Sequence, residues 1–193
     1  MLKLEKLKNS EAWEPEDWVK ESFTGGNYEV ARLHGPAMLV RLLCHAGVAA
    51  EGQPFNANRQ DGSFWFGQSD FRRLRSAAEA EIHQQNKGQF RASTKSLAGL
   101  VMKDRLRGLL AVRRDWSPRF DYYVDLLVPG GKHLVVLYGV VEAQPIYSPS
   151  FDGHEAAKRT GEILPGGLTQ FVIDFDFPAN QPLKSCIGEP VPF

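Results

Sequence analysis

Apolar and polar positions change their spacing several times along this chain, and each change predicts an element. In "GGNYEVARLHG" a Gly pair frees the chain, and Tyr28, Val30 and Leu33 supply the apolar content of a first short strand, with Arg32 near its end. In "PAMLVRLLCHAG", Pro36 suits a first helical turn, Leu39, Leu42 and Leu43 share one face, and Gly47 stops the run, which predicts a helix. The loop-forming stretch "AAEGQPFNANRQDGS" leads into "FWFG", three consecutive aromatics that predict a short buried strand.

"SDFRRLRSAAEAEIHQQNKG" opens on a Ser69 or Asp70 cap and runs to Gly88, the longest helix in the pattern. A second helix follows around "TKSLAGLVMKDRLRGLL", on Leu97, Leu100, Val101 and Leu106, with Gly99 weakening it. "RFDYYVDLLVP" and "KHLVVLYGVVEA" read as two strands joined by Pro-Gly-Gly into a hairpin, the second apolar enough to be buried on both faces. In "TQFVIDFDF" Phe171, Ile173, Phe175 and Phe177 alternate with Val172, Asp174 and Asp176, a strand with one wetter face. The Pro- and Gly-rich tail after Pro178 reads as irregular. Strand, helix, strand, two helices and then a run of strands predict an α+β domain.

Length and charge narrow the function classes. A chain of 193 residues that is 42% hydrophobic fits one domain with a sizeable core. Residues 1–22 read as a charged leader strapped onto that domain by Trp13 and Trp18, and residues 23–193 as a single catalytic domain. The 23 basic and 23 acidic residues cancel, so no overall field draws the chain to nucleic acid or an anionic membrane. The start lacks a signal-peptide core of about 7 to 15 apolar residues, and no run nears the roughly 20 needed to span a bilayer, which points to a soluble protein that does not act at a membrane. Cys44 and Cys186 stand in unrelated contexts and read as buried free thiols. There is no phosphate loop, dinucleotide fingerprint, HExxH or GxSxG. The five histidines are scattered; only His34 and His45 could meet, across the turn at Pro36, and no metal site is expected.

What remains is a set of polar residues at strand ends beside aromatics: Arg32 and His34, Ser63 at the head of "SFWF", and Gln170 at the head of "TQFVIDF". "YEVARLHG", "GSFWFG" and "LPGGLTQFVI", in that order, resemble the ADP-ribosyltransferase superfamily over residues 28–175, especially its bacterial toxin and secreted-effector members. The resemblance implies two small, mainly antiparallel sheets that form an NAD cleft with flanking helices. It implies that Arg32 holds the NAD phosphates, with His34 and Gly35 beside it. Ser63, Phe64, Trp65 and Phe66 would wall the nicotinamide pocket, and Gln170 would contact the nicotinamide ribose. Two departures stand out: "SFW" replaces the Ser-Thr-Ser of one large branch, and Gln170 stands where most transferases have glutamate. Glu142 could supply a carboxylate, one strand early for the pattern.

The amide shifts the expected chemistry. Cleaving the nicotinamide bond develops an oxocarbenium-like ribose, and partners placed where that charge develops lower the barrier. Carboxylate and amide both accept a hydrogen bond from a ribose hydroxyl, but only carboxylate adds a charge or a base for an acceptor. Gln170 therefore suits water as the nucleophile, and the chain is similar in its Arg and Gln pairing to NAD glycohydrolases of the tuberculosis-necrotizing-toxin type. ADP-ribosyl transfer to a protein or nucleic acid is the alternative, with Arg72, Arg73 and Arg75 in "FRRLRS", and Arg113 and Arg114, as a local basic face for an RNA or an acidic protein. A third reading is a noncatalytic immunity or interaction domain in which Arg32 is a surface arginine and Gln170 a hairpin cap. The family further implies an effector delivered by a specialised secretion system, acting in the cytoplasm of a target cell and neutralised by an immunity protein.

Overall fold

The structure is a computed structural model that describes residues 2–43, 63–85, 93–111, 122–147 and 159–192. Its strands and helices are β1 (Lys3–Lys6), α1 (Asp17–Lys20), β2 (Glu29–His34), β3 (Ala37–Leu43), β4 (Phe64–Gly67), α2 (Gln68–Gln85), α3 (Ser93–Leu109), β5 (Tyr122–Val128), β6 (His133–Val140), β7 (Gln144–Tyr147), β8 (Arg159–Leu164), β9 (Thr169–Val172) and β10 (Val191–Pro192). The protein is α+β. Eight strands form one sheet in the order β1-β2-β6-β9-β4-β3-β5-β10, antiparallel at every step, and β7 pairs with β8 in a separate ribbon. The expected pair of small sheets is thus a single large one.

Burial explains why one sheet suffices. Alternate residues of β2, β3, β4, β5, β6 and β9 meet in one cluster that includes Leu33, Leu39, Trp65, Leu126, Leu134 and Phe171, so the sheet folds back over its own inner face. Two corners permit this. Gly35 and Pro36 carry the chain from β2 to β3, strands four places apart in the sheet, and Pro129 to Lys132 carry it from β5 to β6. The corners touch, with Gly35 N donating to Lys132 O at 2.9 Å. On the outer face, α2 and α3 cover Val40 and Phe66 through Phe71, Leu74, Ala78, Ile82, Ala98, Met102 and Leu106. The N-terminal segment covers Val30, Val135, Leu137 and Val172 with Val19 and Phe23.

Several expectations change here. The helix predicted at Pro36 is strand β3: its buried residues Ala37, Leu39 and Leu43 face the inner core while Val40 faces α2, and a strand buried on both faces gives an apolar run that mimics a helix. The hairpin predicted from β5 and β6 is a corner, because β5 pairs with β3 and β10 and β6 with β2 and β9. The burial of β6 on both faces agrees with the pattern, Leu134, Val135, Val136 and Leu137 all being buried. β9 stops at Val172 although the alternation continues. The side chain of Asn180 takes its place, accepting from Val135 N at 2.8 Å and donating to Val135 O at 2.8 Å and Asp174 O at 2.9 Å. The tail is therefore not irregular: a 3-10 turn at Gln181–Cys186 packs Leu183 on the inner core, and β10 adds an edge strand beside β5. Cys186 is a free thiol, half-buried rather than buried, and Cys44 lies outside the described residues.

Candidate active site

The sheet brings two of the three expected segments together. β4 and β9 are neighbours, with Trp65 opposite Phe171 and Phe66 opposite Gln170. The turn before β9 is built for presentation: Gly166 and Gly167 have φ of 68° and 94°, and a Cβ on Gly166 would lie 2.5 Å from Val141 O. Gly166 N donates to Gly108 O and Gly167 N to Val141 O, which ties the turn to the end of α3 and the segment just after β6.

Gln170 is 5% exposed and sits on the outer face, between the layer made by α2 and α3 and the layer made by the N-terminal segment. Its Nε2 donates to Ser22 Oγ at 2.8 Å and to Ser22 O at 3.1 Å. A backbone carbonyl only accepts, so this contact fixes which end of the amide faces Ser22. Neither bond uses Oε1. Ser22 is itself held, its Oγ donating to Val19 O at 2.6 Å and its carbonyl also accepting from Glu142 N at 2.9 Å. Glu142 does not reach toward Gln170. Its carboxylate accepts from Gly25 N at 2.7 Å and from Ala143 N at 3.2 Å, which makes it an anchor for the leader.

Arg32 lies elsewhere. It faces the same side of the sheet as Gln170, but it is opposite Val135 while Gln170 is opposite Gly139, so the two are four residues and two strands apart, about 16 Å from strand geometry. The apolar layer of Val30, Leu137, Val172, Val19 and Phe23 fills the space between them. Arg32 Nη1 and His34 Nε2 both meet the Glu5 carboxylate of β1, at 3.1 and 2.8 Å, and these contacts hold the Glu5 carboxyl below its ordinary range, the His34 bond most strongly. His34 faces His133 at 6.1 Å; His45 lies outside the described residues. Burial, then the positive charges of Arg32 and His34, push the His133 pKa down.

The arginine nearer the aromatic strand is Arg41, which the helix expectation had hidden. It lies on β3 beside β4, on the inner face with Leu39 and Leu43 and so on the other side of the sheet from Gln170, and its Nη1 donates to Phe64 O at 3.2 Å, at the head of "FWF" and next to Ser63. Trp65 and Phe66 are core residues of the inner and outer layers, at 1% exposure each, whereas Phe64 is half-buried under the indole of Trp18. Ser63 accepts from Ile173 N through its backbone carbonyl.

Comparison of the chain with protein-family models, curated proteins and solved structures finds no match. The candidate site therefore stands on its geometry. The basic face of α2 is largely neutralised: Arg73 pairs with Asp70 at 3.0 Å and Arg75 with Glu79 at 3.2 Å, while Arg72 lies near Asp125 and opposes the upward push of burial on that carboxyl. Arg113 and Arg114 fall outside the described residues. A hollow of about 50 Å³ between α2 and α3, lined by Phe71, Met102 and Tyr123, is too small for a dinucleotide. Among the described residues no cluster of His, Cys, Asp and Glu could hold a metal, and no helix is long and apolar enough to cross a membrane.

Proposed function

We propose that the chain hydrolyses NAD at the bond between nicotinamide and ribose, as an ADP-ribosyltransferase-like NAD glycohydrolase. The observation that carries this reading is the set of the Gln170 amide: both contacts with Ser22 are made by Nε2, which leaves the carbonyl oxygen as the working end. Oε1 accepts a hydrogen bond from a ribose hydroxyl, and its negative end lies toward the carbon that gains positive charge. The C1′–N bond breaks with its electron pair leaving on nicotinamide; water forms the new C1′–O bond and releases its proton to solvent.

Two arginines are candidates for the phosphates: Arg32, on the face of Gln170 but tied to Glu5 and separated from the amide by an apolar layer, and Arg41, which reaches the head of β4 but from the inner face of the sheet. A planar fork of donors suits paired phosphate oxygens. Water is favoured over a macromolecular acceptor, because two of the three α2 arginines proposed to dock that acceptor, Arg73 and Arg75, are paired with acids of their own helix. The test is nicotinamide release from NAD by purified protein, with and without cell lysate. Release without lysate supports hydrolysis, release only with lysate and a labelled acceptor supports transfer, and no release in either refutes both.

A further inference from the structure

The N-terminal segment does more at this site than hold the fold together. α1 is a single turn that carries Trp18, and the chain leaves it through Ser22 into a bridge between Phe23 and Val141. Val19 and Phe23 are buried and supply the anchoring apolar contact. Ser22 lies over Gln170 and Trp18 over Phe64, with ring centroids 5.6 Å apart and planes inclined by 60°. Phe64 is opposite Val172, two residues along β9 from Gln170 and on the same face, a step of roughly 7 Å.

Trp18 is 52% exposed, an unusual amount of indole to leave in water on a segment whose Phe23 is fully buried. Its Nε1–H is taken by the Glu16 carboxylate, so its polar edge is satisfied and the indole is held while much of its surface stays in water. Half-exposed aromatics beside a fixed carbonyl oxygen match a planar base joined to a sugar: the base stacks and the sugar reaches the oxygen.

We propose that residues 18–22 complete the active site, Trp18 as the wall on which the planar heteroaromatic base of the substrate stacks and Ser22 as the positioning residue that sets the Gln170 amide. This rests on the NAD reading above for the identity of the base. The two roles separate kinetically. Loss of a stacking wall weakens ground state and transition state alike, so Trp18→Ala raises KM for NAD about tenfold with kcat within twofold, and Trp18→Phe restores most of it. Ser22→Ala removes the hydroxyl bond on Nε2 and keeps the backbone carbonyl one, which loosens the oxygen that meets developing charge, so kcat falls about threefold with KM within twofold, and Ser22→Thr, which keeps the hydroxyl, recovers it.

The experiment is steady-state nicotinamide release by these four variants, with thermal melts to confirm folding, and tryptophan fluorescence titrated with nicotinamide mononucleotide. A KM for Trp18→Ala equal to the wild-type value, or a Ser22→Ala variant that loses melting temperature but not kcat, overturns the proposal. If the wild-type chain releases no nicotinamide, the NAD hydrolysis reading falls by itself and the titration still decides the wall. Quenching by the mononucleotide that disappears in Trp18→Leu supports it, and quenching that is absent or unchanged in Trp18→Leu refutes it.

Discussion

Replacing Asn180 by alanine should cost this protein a large part of its stability. Asn180 is fully buried, and its side chain makes three hydrogen bonds, to Val135 N, Val135 O and Asp174 O. Alanine leaves the two Val135 groups unpaired in the middle of the sheet, each worth about 1 to 3 kcal/mol when buried without a partner. The Asp174 carbonyl is part-buried and can find water. A loss of about 3 kcal/mol follows, which for a chain of this length lowers the melting temperature by roughly 6 to 12 °C. Asn180→Asp should be worse than Asn180→Ala, because a carboxylate oxygen would then face two carbonyl oxygens where the amide donated. Urea unfolding gives the free energies, and exchange of the Val135 amide proton locates the damage. A loss under about 1 kcal/mol for Asn180→Ala, or an aspartate variant as stable as wild type, would refute the view that this side chain stands in for the missing end of β9.

Three further outcomes follow from the same geometry. Gly139→Ala places a methyl 2.8 Å from Phe23 Cδ1 and 2.9 Å from Asn27 O, opposite Gln170, so it should push the leader outward; thermal melts should show about 1 to 3 kcal/mol lost, with a fall in nicotinamide release. The depressed His133 pKa means that the unfolded chain takes up a proton before the folded one, so stability declines as the pH falls through the ordinary histidine value of 6.5. Glu5 adds a second decline, its contribution being present above the ordinary 4.5 and lost as the pH falls through its lower folded value. Urea midpoints measured from pH 7.5 to 3.5 should show both, and His133→Gln should flatten only the upper one. Arg73→Gln and Arg75→Gln should each change stability by under about 1 kcal/mol and leave nicotinamide release unchanged, as expected of exposed intrahelical pairs.

The residues show why some of this architecture is legible in the sequence. α2 and α3 announce themselves because one face of each meets the sheet, and β2 because Val30 and Leu33 face opposite apolar layers between Gly-bounded ends. β3 is not legible: Leu39 and Val40 are buried on opposite faces, and a proline before such a run serves a corner as well as a helix. Pro-Gly-Gly between β5 and β6 fits any tight reversal, and only the pairing of each strand with distant partners separates a corner from a hairpin. The candidate site divides in the same way. The turn that presents Gln170 can be read from its glycines, but the group that orients Gln170 lies 148 residues earlier, and no local pattern links them. Arg32 stands out in the sequence by its place at a strand end. Its engagement by Glu5 depends on β1, a strand of only four residues, "KLEK", too short and charged to show a period.

Cleavage of NAD is proposed to depend on the amide oxygen of Gln170. Nicotinamide release by folded wild-type, Gln170→Ala, Arg41→Ala and Arg32→Ala proteins, without lysate, is the decisive measurement. Turnover is expected of the wild type, with a loss of about a hundredfold in Gln170→Ala on the scale of removing one preorganised polar partner, and a loss in one of the two arginine variants, which identifies the phosphate partner. No turnover by the wild type, or full turnover by folded Gln170→Ala, would contradict the proposal.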